Sequence, residues 1–173
     1  MQALTFWKLV TMDQADFIVQ LTDLLRAEGI HYAVIGGQAV NAYAEPLVSL
    51  DLDLAVARED LARVESLLAA RFTLQRFPHT LNIAQADSDL RVQIQTDPRY
   101  AEFVGRATAR EILGLTLPVA DVRDVLQGKI WAAQDPQRRP SKHFKDLADL
   151  ARLVERYPEL RQYVPEDLLR QLG

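Results

Sequence analysis

Along the chain the apolar positions change period in a readable order. From about Asp13 to Glu28, Phe17, Leu21, Leu24 and Leu25 recur on one helical face. Thr11 and Gln14 have the spacing of a capping box, and Gly29 suits the C-terminal stop. Residues 1–11 read as an extended lead-in. Tyr32 to Gly36 is an apolar run too short for a helix and predicts a strand. Residues 37–45 are helix-compatible and end at Pro46. From Val48 to Val56 the alternation is strict, with Ser49, Asp51, Asp53 and Ala55 on one face and Val48, Leu50, Leu52, Leu54 and Val56 on the other.

Arg58 to Arg71 predicts a helix with Leu61, Val64, Leu67 and Leu68 inward, and strand-like runs follow at about 72–77, 80–86 and 90–96. Past Pro98 the pattern predicts a helical stretch near 99–112, a short strand at Thr116–Val119, helices at about 121–134 and 141–156, and a helical tail at 165–172. The order predicts an α/β (α+β) fold with a mixed sheet. Residues 1–98 would form the α/β core and 99–173 a helical subdomain packed on it.

Bulk composition narrows the chemistry. A chain of 173 residues with 49% hydrophobic and 25% charged residues is an ordinary globular domain, and at this length about 70% of the unfolded surface is buried. The absence of cysteine excludes thiol catalysis, disulfides and thiolate metal sites. The N-terminus lacks a sustained apolar region or small-residue cleavage site, and no run approaches membrane-spanning length, so a soluble cytoplasmic protein is the expectation. A net charge of −4 argues against broad duplex-DNA binding. Arg138, Arg139, Lys142 and Lys145 still cluster enough for a local phosphate patch.

Asp51 and Asp53, two apart on a strand, project from one face about 6–7 Å apart. Two uncompensated carboxylates repel and resist burial, and a divalent cation, Mg²⁺ or Mn²⁺, resolves both problems while sharing substrate phosphates. The competing reading is a solvated edge strand. Gly36 and Gly37, between a strand and a helix, let backbone amides approach a phosphate at the positive end of the helix dipole; the competing reading is a tight turn. Lys129 interrupts the stripe Val122, Val125, Leu126, Ile130 and Ala133. It either snorkels at the core edge or reaches into a cleft. Lys142–Asp146 and Lys145–Asp149 read as i,i+4 pairs on a solvated helix face. His31, His79 and His143 form no metal spacing, and Ser49 has no nucleophile elbow.

Taken together, HYAVIGGQAVNAYAEPLVSLDLDLAV (residues 31–56) resembles the core of the DNA polymerase beta superfamily nucleotidyltransferases. It is similar in particular to minimal nucleotidyltransferases and the nucleotidyltransferase-like toxins of toxin–antitoxin systems. Lys129 through Arg138-Arg139 to Lys145-Asp146-Leu147-Ala148-Asp149 is similar to that group's C-terminal helical pattern. The resemblance implies a nucleoside triphosphate held by Gly36, Gly37, Ser49 and Lys129, and metal bound by Asp51 and Asp53 as the catalytic pair. It implies transfer of a nucleotidyl group to a hydroxyl on a protein, RNA or small molecule, and a toxin–antitoxin partner protein.

The chain departs from the pattern at two positions. Gln93 aligns with the group's third carboxylate and cannot act as a base. Leu47 stands where relatives often have Arg. Asp97, about 13 Å along the strand from Gln93, would replace the missing carboxylate only if the strand end curls back. The alternative function is therefore a catalytically degenerate member acting as a binding or regulatory module. A third reading is a structural domain with a coincidental aspartate pair.

Overall fold

The computed structural model describes the backbone of residues 2–173 and the side chains from residue 15 onward. Helix α1 spans Gln2–Ala27, followed by strand β1 (Tyr32–Ile35), helix α2 (Gly36–Tyr43) and strand β2 (Asp51–Val56). Next come α3 (Leu61–Ala69), β3 (Thr73–Arg76), β4 (Thr80–Ala84) and β5 (Arg91–Gln95). A 3₁₀ segment, Pro98–Arg106, leads to β6 (Thr108–Ile112) and β7 (Leu115–Val119), and the chain closes with α4 (Val122–Gln134), α5 (Pro140–Arg156) and α6 (Glu166–Leu172).

The seven strands form one mixed sheet in the order β3-β4-β5-β2-β1-β7-β6. Its centre is β2, antiparallel to β1 and parallel to β5. Leu52 and Leu54 on β2, Val34 on β1 and Val92 and Ile94 on β5 are fully buried. Each contributes about 1.5–3 kcal/mol of burial, which fixes the height of Asp51 and Asp53 relative to both neighbours. The α/β expectation holds, with α4, α5 and α6 where the sequence put them. The sheet also recruits residues 108–119, since β7 lies beside β1 through the parallel pair Val34–Val119.

Three local expectations differ. Residues 2–12 are helical, not extended, because no Gly or Pro interrupts them, and the proposed capping box at Thr11 falls inside α1. The helix still stops as expected, with Gly29 at φ +67°. Strand β2 begins only at Asp51: Val48 is 81% and Leu50 41% exposed, not inward. Asn41 explains it, accepting from the Leu47 amide at 3.0 Å and donating to the Leu47 carbonyl at 2.7 Å, which bends that segment off the ladder. The expected helix at 99–112 is a 3₁₀ segment followed by a strand. Leu113 (φ 51°) and Gly114 (φ 79°) close the tight β6–β7 hairpin.

Candidate active site

Strand β1 delivers the chain to Gly36 directly beside β2, with Ile35 opposite Asp53. Gly36 sits at φ +68°, and a Cβ there would lie 2.3 Å from Asp53 Oδ2. Backbone conformation and close approach both demand glycine. Gly37 has no such constraint, since a Cβ there would meet Lys145 Nζ at an ordinary 3.6 Å. The N-terminus of α2 thus opens between Asp53 on one side and Lys145 on the other.

The two aspartates have different surroundings. Asp53 is half-buried and makes no side-chain hydrogen bond or ion pair among the described residues. Burial pushes its carboxyl above the usual range, the Asp51 charge adds to that, and Lys129 offsets only part. Asp51 has partners on both oxygens: Lys142 Nζ at 3.0 Å from Oδ2, and Arg91 Nε at 2.8 Å from Oδ1. The Arg91 contact is close but not aligned as a hydrogen bond. Burial pushes Asp51 up, but Lys142 and then Arg91 outweigh it and hold the carboxyl below its ordinary value.

Lys129 is buried and reaches the cleft wall. Its ammonium lies 3.0 Å from Asp146 and 2.7 Å from Asp149, both on α5 and both buried. Arg138 pairs with Asp146 at 2.8 Å and Arg152 with Asp149 at 2.8 Å. Burial disfavours the Lys129 ammonium, yet Asp149 and Asp146 outweigh it and hold the group charged. The same pairing corrects one expectation: Asp146 and Asp149 face inward, not a solvated helix side. Lys142 instead turns to Asp51.

Gln93 pairs in register with Asp53 across the parallel β2–β5 ladder. Its other neighbour is Asn82 on β4, whose buried Oδ1 has no partner. Asp97 does not curl back. It caps the 3₁₀ segment, accepting from the Arg99 amide at 3.0 Å, and pairs with the Arg99 guanidinium at 2.8 Å. Ser49 lies beside Asp51, its Oγ accepting from the Asp51 amide at 3.2 Å, and it does not line the cleft.

The cleft encloses about 120 Å³ between Gly36, Asp53, Gln93, Tyr100, Lys129 and Arg138. It runs into an open groove of about 420 Å³ past Tyr100, Arg138, His79 and Trp131. Burial pushes the Tyr100 hydroxyl up to about 12, so it stays a neutral donor. Sequence reasoning missed Arg91, Tyr100 and Asp146 as neighbours of this site. The burial of Asp146 follows from Lys129 standing on an apolar stripe, which demands a buried partner; the placements of Arg91 and Tyr100 depend on strand register and a 3₁₀ turn.

Among the described residues, no cluster of three or more His, Cys, Asp or Glu is placed to hold a metal ion. Asp53 nonetheless fits one, as an unpartnered carboxylate beside a glycine amide, and Mg²⁺ commonly takes only one or two carboxylates when phosphates complete its shell. No helix of the described residues is long and apolar enough to cross a membrane.

Residues 23–173 match the family described as "Nucleotidyl transferase AbiEii toxin, Type IV TA system". No curated protein sequence matches. Among solved structures, the antibiotic-resistance factor ANT(2'')-Ia superposes with TM-score 0.61 at 15% identity, covering 88% of this chain and 91% of that one. The lincosamide antibiotic adenylyltransferase LnuA, solved with lincomycin bound, superposes with TM-score 0.53 at 12% identity over 83% of this chain and 98% of its own. At such identities these two establish the shared fold.

Proposed function

The chain belongs to the AbiEii nucleotidyltransferase toxin family, and on that premise we propose that it binds a nucleoside triphosphate together with Mg²⁺ or Mn²⁺ and transfers a nucleotidyl group to a hydroxyl. The observation that carries this reading is Asp53, an unpaired carboxylate pressed against Gly36 and its helix N-terminus. Asp51 and Asp53 would hold the cation, which supplies charge neutralisation on the phosphates. Gly36 and Gly37 would offer amides to the triphosphate, Lys129 charge from the opposite wall, and Ser49 would brace the Asp51 backbone. In the transfer, the acceptor oxygen bonds to the α-phosphorus, the bridge to the β-phosphate breaks and pyrophosphate leaves. Gln93 would accept a hydrogen bond from the acceptor hydroxyl but has no means of taking its proton, which passes to water or a phosphate oxygen.

Gln93 also favours a second reading, in which the site binds ligand without turnover and the protein acts as a regulatory module beside a toxin–antitoxin partner. The acceptor, a protein, an RNA or a small molecule, and the cytoplasmic setting belong to the proposal alone. The test is calorimetry of the four nucleoside triphosphates with Mg²⁺ on wild type and on Asp51→Asn/Asp53→Asn. Metal-dependent binding lost in the double variant supports the site; binding that persists in it defeats the proposal. Labelled nucleotide transfer in cell extract, by wild type against Gln93→Asp, then separates the two readings. Label carried only by Gln93→Asp selects the degenerate one.

A further inference from the structure

Both oxygens of Asp51 are already engaged by cations of the protein itself. Lys142, from the first turns of α5, holds Oδ2 at 3.0 Å, and Arg91, the in-register neighbour on β5, stands 2.8 Å from Oδ1. Asp53 has no such partner among the described residues. A divalent cation held by Asp51 and Asp53 would compete with these groups for the Asp51 oxygens, and a displaced cation needs a new anion. Lys142 is 30% exposed along its side chain and Arg91 64%. Among the described residues neither makes another ion pair, so either can swing. Lys145, one turn further on α5, stands beside Gly37, so a phosphate at the α2 N-terminus would meet a basic helix face within reach of Lys142.

From this geometry we infer that Lys142 and Arg91 mask Asp51 against free divalent cation, and that a polyphosphate lifts the mask by drawing Lys142 away. Metal and nucleotide thus load together, and metal alone does not. The inference rests on the proposed cation site at Asp51 and Asp53. It makes Lys142 a positioning residue that exchanges one anion for another, with the pair Lys142–Asp51 present in the unliganded protein and broken in the loaded one.

The test reads bound Mn²⁺ from the loss of its free-ion electron paramagnetic resonance signal, with and without α,β-methylene analogues of the four nucleoside triphosphates. Without nucleotide, Arg91→Gln/Lys142→Gln is expected to bind Mn²⁺ about tenfold or more tightly than wild type, roughly 1.4 kcal/mol. Adding Asp51→Asn to that variant should abolish the gain. Lys142→Arg, which keeps the charge, should stay masked. With analogue present, wild type is expected to bind Mn²⁺, and Lys142→Gln to bind the analogue more weakly. Thermal melts of each variant verify folding. If wild type binds Mn²⁺ with analogue but the double variant shows no gain without it, masking is overturned while the proposed site stands. If no variant binds Mn²⁺ under either condition, the site reading falls and masking falls with it.

Discussion

Two pairs of carboxylates, each with one member lining the cleft (Asp53 on β2, Asp146 on α5), are treated oppositely. Asp146 and Asp149 on α5 are buried among Lys129, Arg138 and Arg152, so every oxygen lies near a guanidinium or an ammonium. Asp51 and Asp53 on β2 are two positions apart, as against three for the α5 pair, and among the described residues one is held by loosely tethered cations and the other by none. Burial holds the Asp53 carboxyl up, whereas in Asp149 burial is outweighed by Lys129 and Arg152 and the carboxyl lies low. The first pair completes a fold; the second leaves electrostatic work undone, which is what a ligand site requires.

The contrast breaks most visibly at Lys129. Lys129→Met leaves Asp146 and Asp149 short of a buried counter-ion and is expected to cost about 3 kcal/mol, read by urea denaturation. Asp53→Asn should leave stability unchanged or slightly raised, because it removes a charge that burial disfavours. A comparable loss from both substitutions would show that the two pairs are equivalent, against this account.

The glycines sharpen it next. Gly36→Ala forces a left-handed backbone costing about 1–2 kcal/mol and drives a methyl into Asp53, so stability and metal-dependent nucleotide binding should fall together. Gly37→Ala, in helical backbone with ordinary contacts, should gain about 0.5 kcal/mol. Equal behaviour at the two positions in a thermal melt would contradict the asymmetry.

A modest effect outside the cleft serves as a reference. Asp60 accepts from the His31 amide at 3.0 Å and from Arg63 at 3.1 Å, and these contacts, the backbone one foremost, hold its carboxyl below the usual range. A lowered folded value stabilises above the unfolded value of about 3.9 and loses that contribution as pH falls through the folded one. Asp60→Asn should therefore cost about 1 kcal/mol near neutrality, and the gap to wild type should close on acidification below the ordinary carboxylate range. A gap that widens on acidification would refute the assignment.

Much of this was legible in residues 31–56. The apolar run, the glycine pair and the alternating aspartates specify strand, turn and strand with little dependence on the rest of the chain. Lys129 was legible as an anomaly, since a lysine on an apolar stripe needs a destination. What stayed hidden depends on long-range partners. Helical periodicity places Lys142 beside Asp146 equally well on a wet face or a buried one, and only the packing of α4 against α5 turns Asp146 inward. Arg91 reaches Asp51 through a parallel register that no local pattern encodes. Tyr100 and Phe103 have a spacing common to α and 3₁₀ turns, so periodicity does not separate the two after Pro98, and Leu113-Gly114 is an uncommon hairpin turn.

The charge lattice between α4 and α5 also carries an evolutionary implication. A lineage cannot alter Lys129, Asp146 or Asp149 one at a time without stranding an ion in the interior, so these positions can drift only through paired exchanges. Asp53 and Gln93 carry no such structural obligation, so the fold itself tolerates a change at either one. In such a molecule the scaffold outlasts its chemistry, and a vanished activity would leave the architecture that once served it standing.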